Sequence, residues 1–458
     1  MIKFLPLVAA LVLAGCTMGP DYVRPEMDVP KDFATRQSTV PVADRWWALF
    51  NDPVLEKLVD EALIANRDLK VAAERIEQAR AQFVITRAEG LPRVGIEGSR
   101  SRDRSSERIG FAPPADAVET DTNRLVLRAA WDIDFWGKYR RGNEAARAEL
   151  AATEAGRDAI RLSLIGEVVR GYFALKALDD ARVVSLRTLE TRRQGLSMQQ
   201  LRYDSGIVSE LELSQVQSDV AGAEALVPAI EQRRTRQEGA LALLLGRSPR
   251  AVFQAVIDRG PNQPPMAVEV PAGLPSELLQ RRPDLRIAEQ RLVAANARIG
   301  IARANYFPAI SLTGFFGGES QQLSDLFSGP ARTWSIAAGL LQPVFGAGQL
   351  ISAEEIADSR TREAALLYEQ AVANAFRETR DAISAQSTAR EIATAQQVRE
   401  RALSRAFDLA RIRYDNGTVS LFDVLEVERQ LLLVRLESID AERDRRAAIV
   451  DLYLALGG

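Results

Sequence analysis

The residues of this chain whose types and spacing could do chemistry include two carboxylates, Asp423 and Glu426. Residues three apart share one face of a helix, so both acids can point in the same direction. If several copies surrounded one axis, the acids would form two stacked rings that bind cations, with Phe422 beside them as an apolar plug. Crowding of like charges would raise the pKa of some of these carboxyls. The alternative is a solvated outer face, where acids on long helices usually lie.

Other chemistry is excluded by composition. None of the 458 residues is histidine, so Ser-His-Asp or Cys-His catalysis and Cys/His zinc sites cannot be built. The stretch FGAGQL at 345–350 comes nearest to a dinucleotide fingerprint, but Ile351 stands in place of the third glycine. A net charge of -3 gives no electrostatic footprint for nucleic acid. We therefore predict no enzyme, no catalytic residue, no cofactor, no metal site and no nucleic-acid partner.

The single cysteine, Cys16, ends the passage LVLAGC. Lys3 supplies a positive charge, and the apolar run at 4–14 is too short to remain as a membrane span. This pattern resembles a bacterial lipoprotein signal and predicts a signal peptide at 1–15 with acylation of Cys16; a plain signal peptide with an incidental cysteine is the alternative. Because Thr17 follows and not aspartate, the resemblance implies sorting to the outer membrane.

The acids at 423 and 426 follow a passage that the chain contains twice. RYDSGIVSELELSQVQ at 202–217 and RYDNGTVSLFDVLEVE at 413–428 share seven of sixteen residues at an offset of 211. A second pair of stretches, 67–92 and 283–308, shares ten of twenty-six residues. The chain is therefore built from two repeats in which the elements follow one another in the same order.

The repeats and the segments around them define the predicted domains. Prolines at 20, 25, 30 and 41 predict an extended, lipidated strap. The full division is a strap at 16–43, repeat 1 at 44–248 with strands at about 92–136 and a helical hairpin at about 140–246, a proline-rich equatorial connector at 249–283, and repeat 2 at 284–458 with strands at about 308–345 and a hairpin at about 349–456.

The predicted strands alternate between apolar and mostly polar residues. Period-two alternation fits a half-buried soluble strand or a barrel strand with lipid on one side and water on the other. We also expect aromatic residues to gather at one end of the strands only, at 135–136, 306–307 and 345. The apolar sets are Leu125, Leu127, Ala129, Trp131, Ile133 and Phe135, then Ile310, Leu312, Gly314 and Phe316, then Trp334, Ile336, Ala338 and Leu340.

Four strands cannot close a barrel, since the smallest closed barrels need about eight. Unpaired strand edges are not tolerated in lipid, so several chains must share one barrel. Three copies would give twelve strands and a pore, and two would give eight strands with a filled lumen. A soluble sheet packed on helices is the other alternative.

The predicted hairpin helices are unusually long. Residues 142–202 contain no proline, and about 60 residues at 1.5 Å each would form a rod of roughly 90 Å. Heptad-like apolar spacing predicts a coiled-coil seam along such helices. The predicted seam residues are Leu162, Ile165, Val169 and Tyr172, then Val216, Val220, Ala223, Val227 and Ile230, with Val427, Leu431 and Val434 in the second repeat.

Together these motifs resemble TolC-like outer membrane factors, and more narrowly the NodT-type lipoproteins of resistance-nodulation-division (RND) efflux systems. The resemblance rests on the lipoprotein signal, MGPDYVRPE, WWALFNDPVLEKL, WDIDFWGKYRRGNEAARAE, RRPDLRIAEQRL and the paired RYDSG and RYDNG turns, and it covers essentially the whole mature chain. It implies a mixed α and β membrane protein, mainly α. Three protomers would form a 12-stranded β-barrel, four strands from each, continued by a periplasmic α-helical barrel and an equatorial mixed region.

This resemblance also implies a function and partners. A homotrimer in the outer membrane lipid would be a passive exit duct, docked to a periplasmic adaptor (membrane fusion) protein and an inner-membrane RND transporter. The lipoprotein start favours small-molecule efflux. A channel for secreted proteins and a non-conducting structural envelope spacer are the alternatives.

In such an assembly each RYD[SN]G passage would be a hairpin turn at the periplasmic tip, where the adaptor docks. Glycine can adopt the left-handed conformation that ends a helix. The turn and docking residues would be Arg202, Tyr203, Gly206, Arg413, Tyr414 and Gly417.

The resemblance finally assigns a gate. TolC-like proteins carry acidic constriction residues after this turn, and Asp423 and Glu426 match their positions, with Phe422 as the apolar plug. Val419 stands where better-known members have a latching arginine. Any latch must therefore use other groups, for which Arg411 and Arg413 are candidates.

Overall fold

The computed structural model describes residues 17–30, 45–106, 108, 118–254, 256–260 and 280–458. The chain divides into two compact units, each made of three separate segments. The first unit comprises Met1–Met27, Arg75–Glu154 and Ile287–Glu369, and the second comprises Asp28–Glu74, Ala155–Arg286 and Gln370–Gly458. Each unit therefore contains parts of both sequence repeats.

The elements follow the same order twice. In chain order they are α1 (Pro53–Ala65), α2 (Arg67–Glu89), β1 (Arg93–Arg104), β2 (Glu119–Ile133), α3 (Lys138–Asp204), α4 (Glu210–Leu244), α5 (Pro249–Gln254), α6 (Pro283–Ala304), β3 (Ala309–Ser320), β4 (Arg332–Leu341), α7 (Gln349–Asp415) and α8 (Leu421–Ala455). Short 3₁₀ turns cover Trp46–Phe50, Leu323–Asp325 and Gly329–Ala331.

The four strands form one antiparallel sheet in the order β1-β2-β3-β4. Its register pairs Ile96 with Leu127, Leu127 with Phe316, and Phe316 with Trp334. All the predicted apolar sets within the strands therefore lie on one face, as period-two alternation requires. This face is exposed in the single chain, with Ile96 at 77%.

The opposite face of the sheet is mostly polar. Arg128 pairs with Glu97 across β1 and β2 at 2.7 Å, and Arg124 lies 3.6 Å from Glu319. An exposed apolar face backed by a charged face is the reverse of a soluble sheet packed on a core.

An aromatic cluster lies at the end of the sheet where β2 ends and β3 begins. The ring of Trp136 stacks on Phe307 with centroids 4.6 Å apart, and its indole N–H donates to the Pro308 carbonyl at 2.9 Å. However, Phe316 and Trp334 face each other nearer the opposite end of β3 and β4. The prediction that aromatics gather at one end only is wrong, because alternation specifies a face and not a position along the strand.

The predicted apolar set of β2 also extended too far. The strand ends at Ile133, so Phe135 lies outside it. The cause is Asp134, whose carboxylate accepts from the backbone N–H groups of Tyr139 at 3.1 Å and Arg140 at 2.9 Å. It thereby satisfies free donors at the start of α3 and turns the chain away from the sheet.

The hairpin helices have equal lengths in the two repeats. Both α3 and α7 contain 67 residues, and both α4 and α8 contain 35. At 1.5 Å per residue the longer helices extend about 100 Å. Within the described ranges, no helix combines the length and the apolar content needed to cross a membrane.

The second unit contains the largest apolar core. Trp46 and Trp47 are each 1% exposed, and Trp46 stacks on Tyr453 with centroids 5.2 Å apart. Most of the predicted seam is confirmed. Ile165, Val169, Tyr172, Val216, Val220, Ala223, Ile230, Leu431 and Val434 are buried, while Leu162, Val227 and Val427 are half-buried.

Part of the predicted connector packs into this unit. Its described residues include α5, an irregular segment at 256–260 in which Ile257 is buried, and residues 280–283, where α6 begins. The hydroxyl of Tyr172 donates to Asp52 at 2.7 Å and accepts from the backbone N–H of Gly260 at 2.9 Å. Lys176 donates to the Gly260 carbonyl at 3.3 Å. These buried groups hold the segment against α3. Residues 255 and 261–279 of the predicted connector lie outside the described part of the chain.

Candidate functional site: the hairpin turns and the N-terminal strap

Both hairpins turn through the same backbone motif. Gly206 has φ +71° and Gly417 has φ +70°, the left-handed conformation expected for them. At the first turn the N–H of Gly206 donates to the Tyr203 carbonyl and that of Ile207 to the Arg202 carbonyl, both at 2.8 Å. The second turn repeats both hydrogen bonds. This double hydrogen bond is the Schellman termination, which satisfies the last carbonyls of α3 and α7.

The next helix after each turn begins with a capping box. Ser209 and Glu212 exchange hydrogen bonds at the start of α4, as Ser420 and Asp423 do at the start of α8. Such reciprocal bonds satisfy two free donors at a helix N-terminus. Glu212 and Asp423 are equivalent at the repeat offset of 211. Asp423 therefore has a structural role in addition to the predicted gating role.

The predicted gate acids differ in their partners. Asp423 Oδ2 accepts from Ser420 Oγ at 2.7 Å and from Ser420 N at 3.0 Å. Glu426 accepts from Gln430 Nε2 at 2.8 Å and from Arg429 Nη2 at 2.7 Å. Asp423 therefore has a neutral partner in its own protomer, whereas Glu426 has a cationic one.

These contacts lower the pKa of both acids. Hydrogen bonds from the Ser420 side chain and backbone lower the pKa of Asp423, and hydrogen bonds from Gln430 and then Arg429 lower the pKa of Glu426. The prediction of raised pKa values runs opposite to these directions within one protomer. It assumed like charges as the nearest neighbours, whereas local donors are nearest here.

Phe422 and Glu426 line a cleft of about 210 Å³ between α4 and α8. Its other lining residues are Gln215, Ser218, Asp219, Leu425 and Arg429. Phe422 is 60% exposed, and Asp423 does not line this cleft. Two of the three predicted gate residues therefore share one cleft, and the third belongs to the capping box.

Two of the predicted docking residues contact each other. Arg202 Nη1 donates to the Tyr414 hydroxyl at 2.7 Å, and Gln199 Nε2 donates to the same hydroxyl at 3.1 Å. Tyr203 and Arg413 are exposed. The first and second hairpins are thus tied together directly beside their turns.

Sequence reasoning missed a buried ion pair between the hairpins. Arg192 Nε lies 3.3 Å from Glu428 Oε1, and Arg192 Nη1 donates to the Asp219 carbonyl at 2.9 Å. Burial raises the pKa of Glu428, although Arg192 opposes this. Heptad spacing did not indicate this pair, because the predicted seam passes through the neighbouring Val427 and leaves Glu428 beside it.

The N-terminal strap is described from Thr17 onward, so Cys16 lies outside the described residues. The backbone N–H of Met18 donates to the Trp136 carbonyl at 3.1 Å. Arg141, almost fully buried, donates to the Met18 carbonyl at 3.0 Å and to Asp21 Oδ1 at 2.8 Å. The residues directly after Cys16 are therefore fixed beside the aromatic cluster of the sheet.

A second contact holds the strap farther along. Arg24 makes two hydrogen bonds to the carboxylate of Glu289, at 2.6 and 2.8 Å, and the Tyr22 hydroxyl donates to the same carboxylate at 3.2 Å. Burial and the neighbouring Glu289 charge raise the pKa of Tyr22, which keeps the hydroxyl protonated as a donor.

Comparison with known proteins places these features in a family. The model of the family described as "Outer membrane efflux protein" matches residues 58–247 and 274–458. "Cation efflux system protein CusC" of Escherichia coli (strain K12) is 33% identical over 462 residues, covering 100% of this chain and 99% of that protein. "Toluene efflux pump outer membrane protein TtgI" of Pseudomonas putida is 33% identical over 469 residues, covering 100% of this chain and 98% of that protein.

A solved structure agrees with these relatives. The Campylobacter jejuni CmeC outer membrane channel superposes with a TM-score of 0.91 at 27% identity, covering 96% of this chain and 95% of that one. The family model matches both repeats and the relatives span the full chain, so this protein belongs to the outer membrane efflux protein family.

Proposed function

We propose that three copies of this chain form the outer-membrane exit duct of a tripartite efflux pump, in which an adaptor protein links the duct to an inner-membrane RND transporter. The observation that carries the trimer is the four-stranded sheet with one exposed apolar face. Such a face is stable when lipid covers it.

The unpaired edges of the sheet indicate how many copies of the chain form the barrel. β1 and β4 are the outer strands, and each has one edge without a partner among the described strands. Unpaired backbone groups in a bilayer cost several kcal/mol each, so β4 of one copy must pair with β1 of the next. Three copies close a ring of twelve strands that leaves a pore, whereas two copies would fill it with side chains.

Membership of the family favours efflux over protein secretion or a spacer role. The relatives are named as outer-membrane parts of efflux systems. The hairpin turns are candidates for adaptor docking because Gly206 and Gly417 are exposed at their tips. In this arrangement the long helical hairpins lie in the periplasm.

The proposed cargo is small organic molecules, such as drugs or other toxic compounds. The relatives are named for cation and for toluene efflux, so the family name alone leaves both classes open. The chain has no histidine and five methionines. Within the described ranges no group of three His, Cys, Asp or Glu side chains could hold a metal ion. These observations give no support to a metal-binding duct.

Chemical cross-linking in native membranes tests the assembly, and we expect a ladder of products that ends at three chains. A ladder that ends at two or four would refute the twelve-stranded barrel. A gene deletion then tests the cargo, with growth measured against lipophilic dyes and solvents in one arm and against metal cations in the other. We expect sensitivity in the organic arm, restored by the wild-type gene. Sensitivity to cations alone would overturn the cargo assignment.

A further inference from the structure

The contact between Arg202 and Tyr414 joins two turns that the repeat makes equivalent. The guanidinium donates to the hydroxyl at 2.7 Å, and its central carbon lies 5.9 Å from the centre of the tyrosine ring. Arg202 belongs to the first hairpin and Tyr414 to the second. Both turns contain the dipeptide Arg-Tyr, at 202–203 and at 413–414. The first turn supplies the arginine of this contact, and the second supplies the tyrosine.

The other residue of each dipeptide takes no part in this contact. Arg413 is the equivalent of Arg202, and Tyr203 is the equivalent of Tyr414. Both turns have the same backbone hydrogen bonds and nearly the same glycine φ. Tyr203 is 38% exposed, and Arg413 is exposed as well. The equivalents of both contacting groups are thus exposed, the tyrosine on the first hairpin and the arginine on the second.

We propose that Arg413 of each protomer donates to the Tyr203 hydroxyl of the next protomer, so that the contact seen within one chain is repeated between chains. This inference rests on the proposed trimer. In a ring of six hairpins, first and second hairpins alternate. The second hairpin of one protomer therefore lies beside the first hairpin of the next, just as the first and second hairpins lie side by side within one protomer. The neighbouring copy then completes a contact that one chain cannot make.

Exposed apolar side chains beside both turns support a second copy as the occupant. Met198 and Leu201 are 58% and 63% exposed in the first hairpin, and their equivalents Leu409 and Ile412 are 45% and 54% exposed in the second. Matching apolar residues on both hairpins fit a surface that copies of the same chain cover.

The seam between protomers would have fewer polar ties than the seam within one. Gln199, which reinforces Tyr414, has Ala410 as its equivalent. The buried pair of Arg192 and Glu428 has Leu403 and Gln217 as its equivalents. Of these three polar contacts, only that of Arg202 with Tyr414 has an equivalent pair, Arg413 and Tyr203, that can form at this seam, and it supplies a latch where Val419 cannot.

Cysteine pairs and a short bismaleimide cross-linker test the proposal on the full chain in native membranes. The variant with Tyr203→Cys and Arg413→Cys should form products of two and three covalently joined chains. The matched control with Arg202→Cys and Tyr414→Cys should join residues within one chain and remain at the size of one chain. Single-cysteine variants measure the background from Cys16 and from contacts across the axis.

The outcomes separate this inference from the proposed function. If native mass spectrometry of the wild type shows trimers but the 203–413 pair gives no more interchain product than the single variants, the inference is wrong and the trimer stands. If no trimers form, the proposed assembly itself fails. Tyr203→Phe and Tyr203→Trp both remove the hydroxyl that would accept the hydrogen bond from Arg413. Each of these variants of the wild-type chain should raise the open probability of single channels.

Discussion

Arg192 and Glu428 form a buried ion pair that joins α3 of the first hairpin to α8 of the second, with Nε and Oε1 3.3 Å apart. Their side chains are 8% and 15% exposed. Arg192 also reaches the Asp219 carbonyl on α4, so one guanidinium touches three helices. Burying two charges is costly, and the attraction between them repays this only in part. The pKa of Glu428 is raised because burial disfavours its charged form more than Arg192 stabilises it.

The raised pKa of Glu428 predicts that the stability of the folded hairpins depends on pH. The folded hairpins favour the protonated carboxyl, because its pKa is raised above the ordinary value of 4.5. The contribution of Glu428 to stability is therefore fully present below pH 4.5 and is lost as the pH rises through the folded pKa. We expect hydrogen exchange of the α8 amides, corrected for intrinsic rates, to show falling protection through this window. Glu428→Gln should remove the dependence.

Glu437→Gln is the matched control for this change. Glu437 lies on the same helix and pairs with Arg399 at 2.6 Å, but its side chain is about half exposed. Exposed pairs contribute little, so this variant should follow the wild type at every pH. Protection that increases with pH in the wild type, and loses this trend in Glu428→Gln, would show that the ion pair is net stabilising when charged.

The strap gives a second prediction. Glu289→Gln replaces the carboxylate, whose two oxygens accept from Arg24, by an uncharged amide with a single acceptor oxygen, which weakens this contact by about 1 kcal/mol. The strap should open more often, and chymotrypsin should cleave after Tyr22 about fivefold faster. Glu354→Gln is the control, because Glu354 pairs with Arg303 at 2.8 Å and not with a described residue of the strap. Equal cleavage rates in the two variants would mean that Arg141 alone holds this segment.

Alternation and repeats were sufficient to predict the sheet face and the hairpins. That Leu127 and Phe316 lie on the same face follows from apolar periodicity, and the equal lengths of α3 and α7 follow from the repeat. Family membership confirms the outer-membrane efflux channel and that the chain is not an enzyme.

What the sequence did not reveal depends on side chains that act locally. Asp134 reads as the polar residue of a strand, yet it ends β2 by capping α3. Asp423 reads as a gate acid, yet its first partner is Ser420, three residues earlier. Glu428 reads as one more acid on a long helix, and only the packing of three helices shows that it is buried. Spacing specifies a face, whereas the nearest donor depends on tertiary contacts.

Acylation of Cys16 stays a prediction that labelling can decide. Radiolabelled palmitate should enter the wild-type chain and be absent from Cys16→Ala. The barrel strands and the contacts of Arg141 with the strap do not involve the acyl chains. Cys16→Ala should therefore still reach the outer membrane and form trimers, although in smaller amounts. Equal incorporation of label in both chains would exclude Cys16 as the acylated residue.

The proposed gate leads to the last prediction, because the two acids differ in charge balance. Glu426 lies 2.7 Å from the cationic Arg429, so this pair is nearly neutral, while Asp423 is held by the neutral Ser420. Both carboxyls are ionised at neutral pH, since their pKa values are lowered. If three protomers place these residues around the axis, Asp423 supplies most of the negative charge.

Block of planar-bilayer conductance by multivalent cations should therefore weaken more in Asp423→Asn than in Glu426→Gln, and it should disappear when both are changed. Arg429→Gln should strengthen the block, because it frees the charge of Glu426. Ser420→Ala is the control for the capping box: it costs about 1 kcal/mol of helix stability but keeps the carboxylate, so the block should persist. Trimers should survive in all these variants. A double variant that is blocked as strongly as the wild type would show that these acids do not face the conduction path.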